Sequence, residues 1–212
     1  MKKSQKSLRN LGFTSLLLII AFGCNGKKES NEPDVDLVKA DTVKPVSNTR
    51  LLIIPGQSIG NISLELNAEN IENILGKADL SDAAMGKAWL TWFSKVSDSV
   101  TGNELNIYTE YKDNEMTEKV VRQIRITSDE FKTAEGIGTG KSIDAISKIF
   151  PSIKMVGKYD TETNFPVTLY DAVDDGIAFE AENNVCTGII IHQKGRSVSE
   201  VYISFHPDMK PM

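Results

Sequence analysis

The stretch NAENIENIL, residues 67–75, returns at a constant offset as SIDAISKIF, residues 142–150. In each copy a capping residue (Asn67, Ser142) precedes an acidic residue in the first turn (Glu69, Asp144). Apolar side chains then recur at helical spacing: Ile71, Ile74 and Leu75 in one copy, Ile146, Ile149 and Phe150 in the other. Gly76 and Pro151 stop the two helices at equivalent places. The spacing predicts two short amphipathic helices, each opening a unit of its own.

After each helix the apolar period changes from 3.6 to 2. Strands are expected at 88–95, 103–111 and 119–127 in the first unit, and at 167–173, 176–182, 185–192 and 197–206 in the second. Asp113-Asn114, Asp174-Asp175-Gly176, Asn183-Asn184 and Lys194-Gly195 supply turns that close these strands into hairpins. The fold class read from this pattern is α+β, two tandem repeats of a short helix packed on an antiparallel β-meander, residues 50–133 and 134–212. Ile177, Phe179 and Ala181 alternate with Glu180 and Glu182, and Val201, Ile203 and Phe205 with Tyr202, Ser204 and His206. One sheet face is therefore expected against the helices and the other at least partly in water.

Upstream of the repeats the chain changes character twice. Residues 1–23 carry Lys2, Lys3, Lys6 and Arg9, then an apolar run from Leu11 to Phe22, too short to span a bilayer and ordered like an export signal. Ala21-Phe22-Gly23-Cys24 resembles the lipobox of bacterial lipoproteins, with Ala21 and Phe22 departing from its preferred residues. That resemblance implies cleavage before Cys24, diacylglyceryl attachment to its thiol and stable anchoring by two or three acyl chains without a spanning helix. Residues 24–49 then form a polar, proline-punctuated segment that cannot bury enough surface to offset chain entropy; it reads as a disordered tether reaching roughly 80 Å when extended.

Processing at Cys24 removes four of the 24 Lys and Arg and none of the 29 Asp and Glu, leaving a mature net charge of −9. Nucleic acid is thereby disfavoured as a partner. Cys186 becomes the one free thiol, read as a small buried strand residue rather than a reactive group.

Four patterns invite a chemical reading. Gly56-Gln57-Ser58-Ile59-Gly60 matches the nucleophile-elbow string, but NISLEL follows it with strand alternation where a helix is required. The histidines, His192 and His206, are expected at the far ends of one hairpin, on the order of 25 Å apart. They are thus not expected to share a metal or a triad. Asp171, Asp174 and Asp175 lack calcium-loop spacing, and Asp174-Asp175-Gly176 reads as a hairpin turn. GIGTGKS, 136–142, lacks the glycine spacing of a phosphate loop, so Lys141 and Ser142 read as a helix entry. No catalytic residue, metal or cofactor is indicated. What remains is an aromatic surface: Trp89 and Trp92, on opposite faces of their strand, with Tyr108 and Tyr111 on the next, residue types enriched in binding hot spots.

PGQSIGNISLELNAENIENILGKAD resembles the repeat unit of small exported bacterial proteins, among them the outer-membrane assembly lipoproteins and the tandem-repeat β-lactamase inhibitor proteins. Ile59, Gly60, Ile62, Leu64, Asn67, Ile71, Leu75 and Gly76 carry the likeness, while Glu65 stands where that unit has Gly and Ala78 where it has Pro. The second copy, GIGTGKSIDAISKIFP, matches more loosely. The resemblance implies architecture above all, and modules that bind other proteins through an open sheet face without catalysis.

The function expected is that of a non-enzymatic protein-binding lipoprotein in a Gram-negative cell envelope. It is held in the outer membrane by its lipid, facing either the periplasm or the exterior, with an envelope protein as partner. A small-molecule or glycan binder using Trp89 and Trp92 is the alternative; an envelope serine hydrolase using Ser58 stands behind both.

Overall fold

The computed structural model describes residues 49–97, 100–161 and 165–212. Cys24, the export signal and all of the tether except Thr49 lie outside these residues. No helix among the described residues is long and apolar enough to cross a membrane.

Three short strands come first: β1 (Leu52–Ile54), β2 (Ser58–Ile59) and β3 (Ile62–Ser63). After a 3₁₀ turn at Ala68–Asn70, α1 (Ile71–Leu75) leads into β4 (Leu80–Ala84), β5 (Lys87–Ser97), β6 (Val100–Tyr111) and β7 (Lys119–Ile126). The chain continues through β8 (Lys132–Thr133) and α2 (Ile143–Ile149) into β9 (Lys154–Asp160), β10 (Pro166–Ala172), β11 (Ile177–Glu182) and β12 (Val185–His192). It ends in α3 (Ser199–Tyr202) and β13 (Lys210–Pro211). The class is α+β, dominated by antiparallel sheet.

A nine-stranded sheet runs β13-β9-β10-β11-β12-β7-β6-β5-β4. Strands β4 to β7 and β9 to β12 are consecutive antiparallel neighbours, and the two sets join where β7 pairs β12 through Ile189↔Ile126 and Ile191↔Ile124. A smaller sheet, β3-β2-β1-β8, has one parallel pair, β1 with β8.

Both helix starts form as their residues dictate. The Asn67 side chain accepts from Glu69 N–H at 2.8 Å, and the Ser142 hydroxyl from Ala145 N–H at 3.2 Å. Gly76, at φ 76°, ends α1 in a conformation a side chain would resist. Replacing Ser142 by Ala should cost about 1 kcal/mol of stability, read as a lower urea midpoint at unchanged slope. Of the expected helix faces, Ile71, Ile146 and Phe150 are buried and Leu75 is half-buried. Ile74 and Ile149 are each 42 % exposed, because helices of five and seven residues turn too few side chains inward to bury a full stripe.

One expected strand is corrected. Residues 197–206 form no strand: α3 and the turns after it occupy that stretch. Val198, Tyr202 and Phe205 also fit helical spacing, and it is Tyr202 that is buried while Ile203 is 40 % exposed. Burial of that tyrosine and the capping of Val198 described below override the alternation. The second sheet face is covered over its middle strands and stays in water toward β4, where Asp82 and Ala84 are exposed. One face carries Ile107, Ile124, Phe179, Ile189 and Ile191 against α1, α2 and the small sheet. The other carries Leu169, Ala178 and Ile190, covered by Val198, Tyr202 and Met209 of the C-terminal segment. Strands β4 and β9 were not expected, since LSDAA and KMVGKYD have little β-branched or alternating character.

Candidate binding surface

Four aromatic residues were expected to mark a surface, and the sheet register separates them. Trp89 faces Tyr108 directly across β5 and β6, ring centroids 5.2 Å apart, on the face that the C-terminal segment covers. Trp89 is 6 % exposed; its Nε1–H donates to Ser204 Oγ at 2.9 Å and its ring lies 4.7 Å from Phe205. Trp92 packs on the opposite face and donates to Gly76 O at 3.2 Å, holding the end of α1. Tyr111 lies beside α1, with the Lys119 ammonium 5.1 Å from its ring centre.

The four therefore line three separate depressions. Trp92 borders one of ≈ 520 Å³ with Phe93, Leu105 and Phe131. Tyr111 borders one of ≈ 600 Å³ with Glu69, Glu72 and Glu118. Trp89 and Tyr108 form the floor of a groove of ≈ 310 Å³ whose walls are Asp82, Ala84, Met85, Lys87 and Ser204. Met85 stands at the tip of the β4–β5 hairpin, 99 % exposed. Tyr108 is buried like Trp89, so the contact surface here is the exposed, adaptable Met85 and the edge of β4 beside it.

The face around this groove holds a buried polar network that strand alternation did not reveal. Arg125 Nε and Nη2 donate to the two carboxylate oxygens of Glu180 at 2.7 and 2.8 Å, while Nη1 reaches Glu104 and Asn106. The Tyr202 hydroxyl donates to Glu180, and the guanidinium lies 5.6 Å from the Phe205 ring centre. Burial works against the Arg125 charge, but Glu180 outweighs it and raises the guanidinium pKa further. Burial, with Glu180 adding to it, likewise pushes the Tyr159 phenol up. A sequence signal existed in Gly188, opposite Glu180 in the interior of β12: a Cβ there would fall 2.1 Å from Glu180 Oε2.

A second buried constellation centres on Asp171, which lies in β10, within the strand expected at 167–173. Its Oδ1 sits 2.9 Å from His192 Nε2, and its Oδ2 accepts from Ser197 Oγ at 3.2 Å and Val198 N–H at 2.9 Å. His192 Nδ1 is 3.1 Å from Gln193 O. Ser197 thus bonds the carboxylate and not the imidazole, so the order needed for general-base activation of a serine is not formed. The Asp171 carboxylate fastens the start of the C-terminal segment to the sheet. Asp174-Asp175-Gly176 makes the turn expected there, with Gly176 at φ 74°.

His206 stacks on Tyr159 at 3.8 Å, in surroundings different from those of His192. With residues 197–206 not a strand, the hairpin that set the expected separation of the two histidines does not exist. Burial lowers the His206 pKa, Arg125 adds to that, and Glu180 opposes it. The unfolded chain then binds a proton more readily than the folded one, so His206 costs stability as pH falls through about 6.5, its unfolded value. A urea midpoint measured from pH 7 to pH 5 should fall, and His206→Gln should flatten part of that fall.

The remaining residues singled out have ordinary settings. Ser58 lies in a hairpin, pairing with Ile54 and Ser63, and the chain turns at Gly60-Asn61 into β3. Cys186 is buried and its thiol is pushed up to about 12, first by burial and then by Glu180, against the weaker effect of its bond to Gly188 O. It is a protonated, poorly nucleophilic thiol. Among the described residues no group of three or more His, Cys, Asp or Glu could hold a metal ion.

No protein-family model, curated protein or solved structure matches this chain.

Proposed function

We propose that this chain is a lipid-anchored, non-enzymatic protein-binding module of a bacterial cell envelope, built from two tandem helix-and-meander repeats. The leader and Cys24 support the anchor, and local geometry supports the repeat. Glu65 N–H donates to Val121 O and Val121 N–H to Leu66 O, both at 2.9 Å; Gly140 N–H donates to Cys186 O and Cys186 N–H to Lys141 O, both at 2.8 Å. Asn67 bridges Val120 just as Ser142 bridges Val185. Glu65 and Gly140 share a left-handed conformation, φ 63° and 83°. The position where Glu65 replaces the glycine of the resembled unit is thus one that needs positive φ, and Arg122 pairs with its carboxylate.

The groove over Trp89 and Tyr108, with Met85 projecting beside it, carries the protein-binding reading. A photo-crosslinking amino acid at Met85 of the full lipidated chain, irradiated in its own envelope, should give one discrete protein adduct. The same amino acid at exposed Lys148 should not. The same ladder at both sites, or no adduct at Met85, would overturn the reading. The groove is also large enough for a small ligand. A glycan or small-molecule binder would instead show saturable quenching of tryptophan emission in a ligand screen.

A further inference from the structure

The nine-stranded sheet ends on one side in β13, two residues closed by Pro211, and on the other in β4, five residues all exposed. Natural edges are usually blunted by lysine, proline or a bulge; β4 has none of these and one charge, Asp82. We propose that β4 receives an extended segment of a partner protein as an added strand, with a basic residue facing Asp82 and an apolar residue two positions along entering the Trp89–Tyr108 groove. This rests on the protein-binding reading and specifies how the partner is held.

The hairpin geometry says which backbone groups are available. Met85 and Gly86, at φ 51° and 80°, form a two-residue turn of the type that makes the flanking Ala84↔Lys87 a hydrogen-bonded pair. Alternation then turns the backbone groups of Ala84, Asp82 and Leu80 toward β5, and directs the N–H and C=O of Ser81 and Ala83 to the edge that no strand among the described residues pairs. Asp82 lies directly across from Trp89, so its side chain shares the groove face with Ala84. An incoming strand paired to Ser81 and Ala83 sets one side chain close against Asp82 and the next on that face over the groove.

Charge bears on the occupant at the strand edge, where Asp82 stands, while Lys87 lines the groove on the β5 side beside the turn. Asp82 has no ion-pair partner among the described residues. A second copy paired about the midpoint of β4 would set Asp82 against itself, and like charges directly opposite are destabilising. A basic, β-prone segment of another protein fits better. Strand addition draws affinity from main-chain bonds and specificity from alternate side-chain pockets, which matches an edge beside a groove.

The probe is a labelled peptide of about eight residues, alternating threonine with lysine and valine, titrated onto the full lipidated chain in detergent micelles. Saturable binding should weaken about tenfold in Ala83→Pro, which removes an outward N–H without touching the β4–β5 ladder. Asp82→Lys should reverse the charge preference, taking a glutamate version of the peptide instead. Peptide N-methylated on the pairing edge should fail on the unaltered protein, an arm that holds even if Ala83→Pro folds poorly. Equal binding by all variants and peptides, or no binding at all, would overturn the proposal. So would a dimer of the chain abolished by Ala83→Pro, which would make a second copy the occupant. Ala83→Pro combined with the Met85 photo-crosslinker separates the two claims. An adduct that persists sinks strand addition alone, and an adduct absent even from the unaltered chain sinks the binding reading.

Discussion

Replacing Glu180 by Leu is expected to remove about 3–5 kcal/mol of folding stability. Glu180 is 1 % exposed and answers two of the three donating nitrogens of Arg125, as well as the Tyr202 hydroxyl. Leucine fills much of the same volume, so the loss comes from a guanidinium left in a dry site with only Glu104 and Asn106 on Nη1. The pair Arg125→Met with Glu180→Leu removes both charges together and should recover most of that loss. Denaturant midpoints of the four proteins of this cycle check it. A single-substitution loss below about 1 kcal/mol would mean that water reaches the ion pair.

Replacing Asp171 by Ala should cost about 3 kcal/mol and, unlike the first change, act at one place. Three partners lose their acceptor at once: His192 Nε2, the Ser197 hydroxyl and the Val198 N–H. The last two tie the C-terminal segment to β10, and that segment lays Tyr202, Ser204 and Phe205 over Trp89. Amide exchange should quicken from Val198 through His206 before the central strands respond, and Trp89 emission should shift to the red. Uniform acceleration across the sheet would show that Asp171 contributes to global stability without fastening this segment.

These two carboxylates mark the limit of what the sequence made legible. Features set by neighbours in the chain were readable: the caps at Asn67 and Ser142, the stops at Gly76 and Pro151, and the turns at Asn183-Asn184 and Asp174-Asp175-Gly176. The opposite placement of Trp89 and Trp92 followed from strand alternation. Features set across the sheet were not. Glu180 alternates with apolar residues as a solvated side chain would, and its partner Arg125 lies 55 residues away. Residues 197–206 satisfy both a strand and a helix pattern, and only the carboxylate of Asp171 and the pocket for Tyr202 choose between them. Strand β4 owes its existence to the Met85-Gly86 turn and to the ladder offered by β5. Of the aromatic surface, Trp89 and Tyr108 come together while Trp92 and Tyr111 go elsewhere, because one residue of register decides the face.

The most direct test of the protein-binding module is a cross-linked pull-down of the native lipidated protein from its own envelope, read by mass spectrometry against a control that keeps only residues 1–49. One partner recovered in fixed stoichiometry with the full chain, and missing from the control, is the predicted result. Recovery of the same lipid and background proteins with both would contradict it.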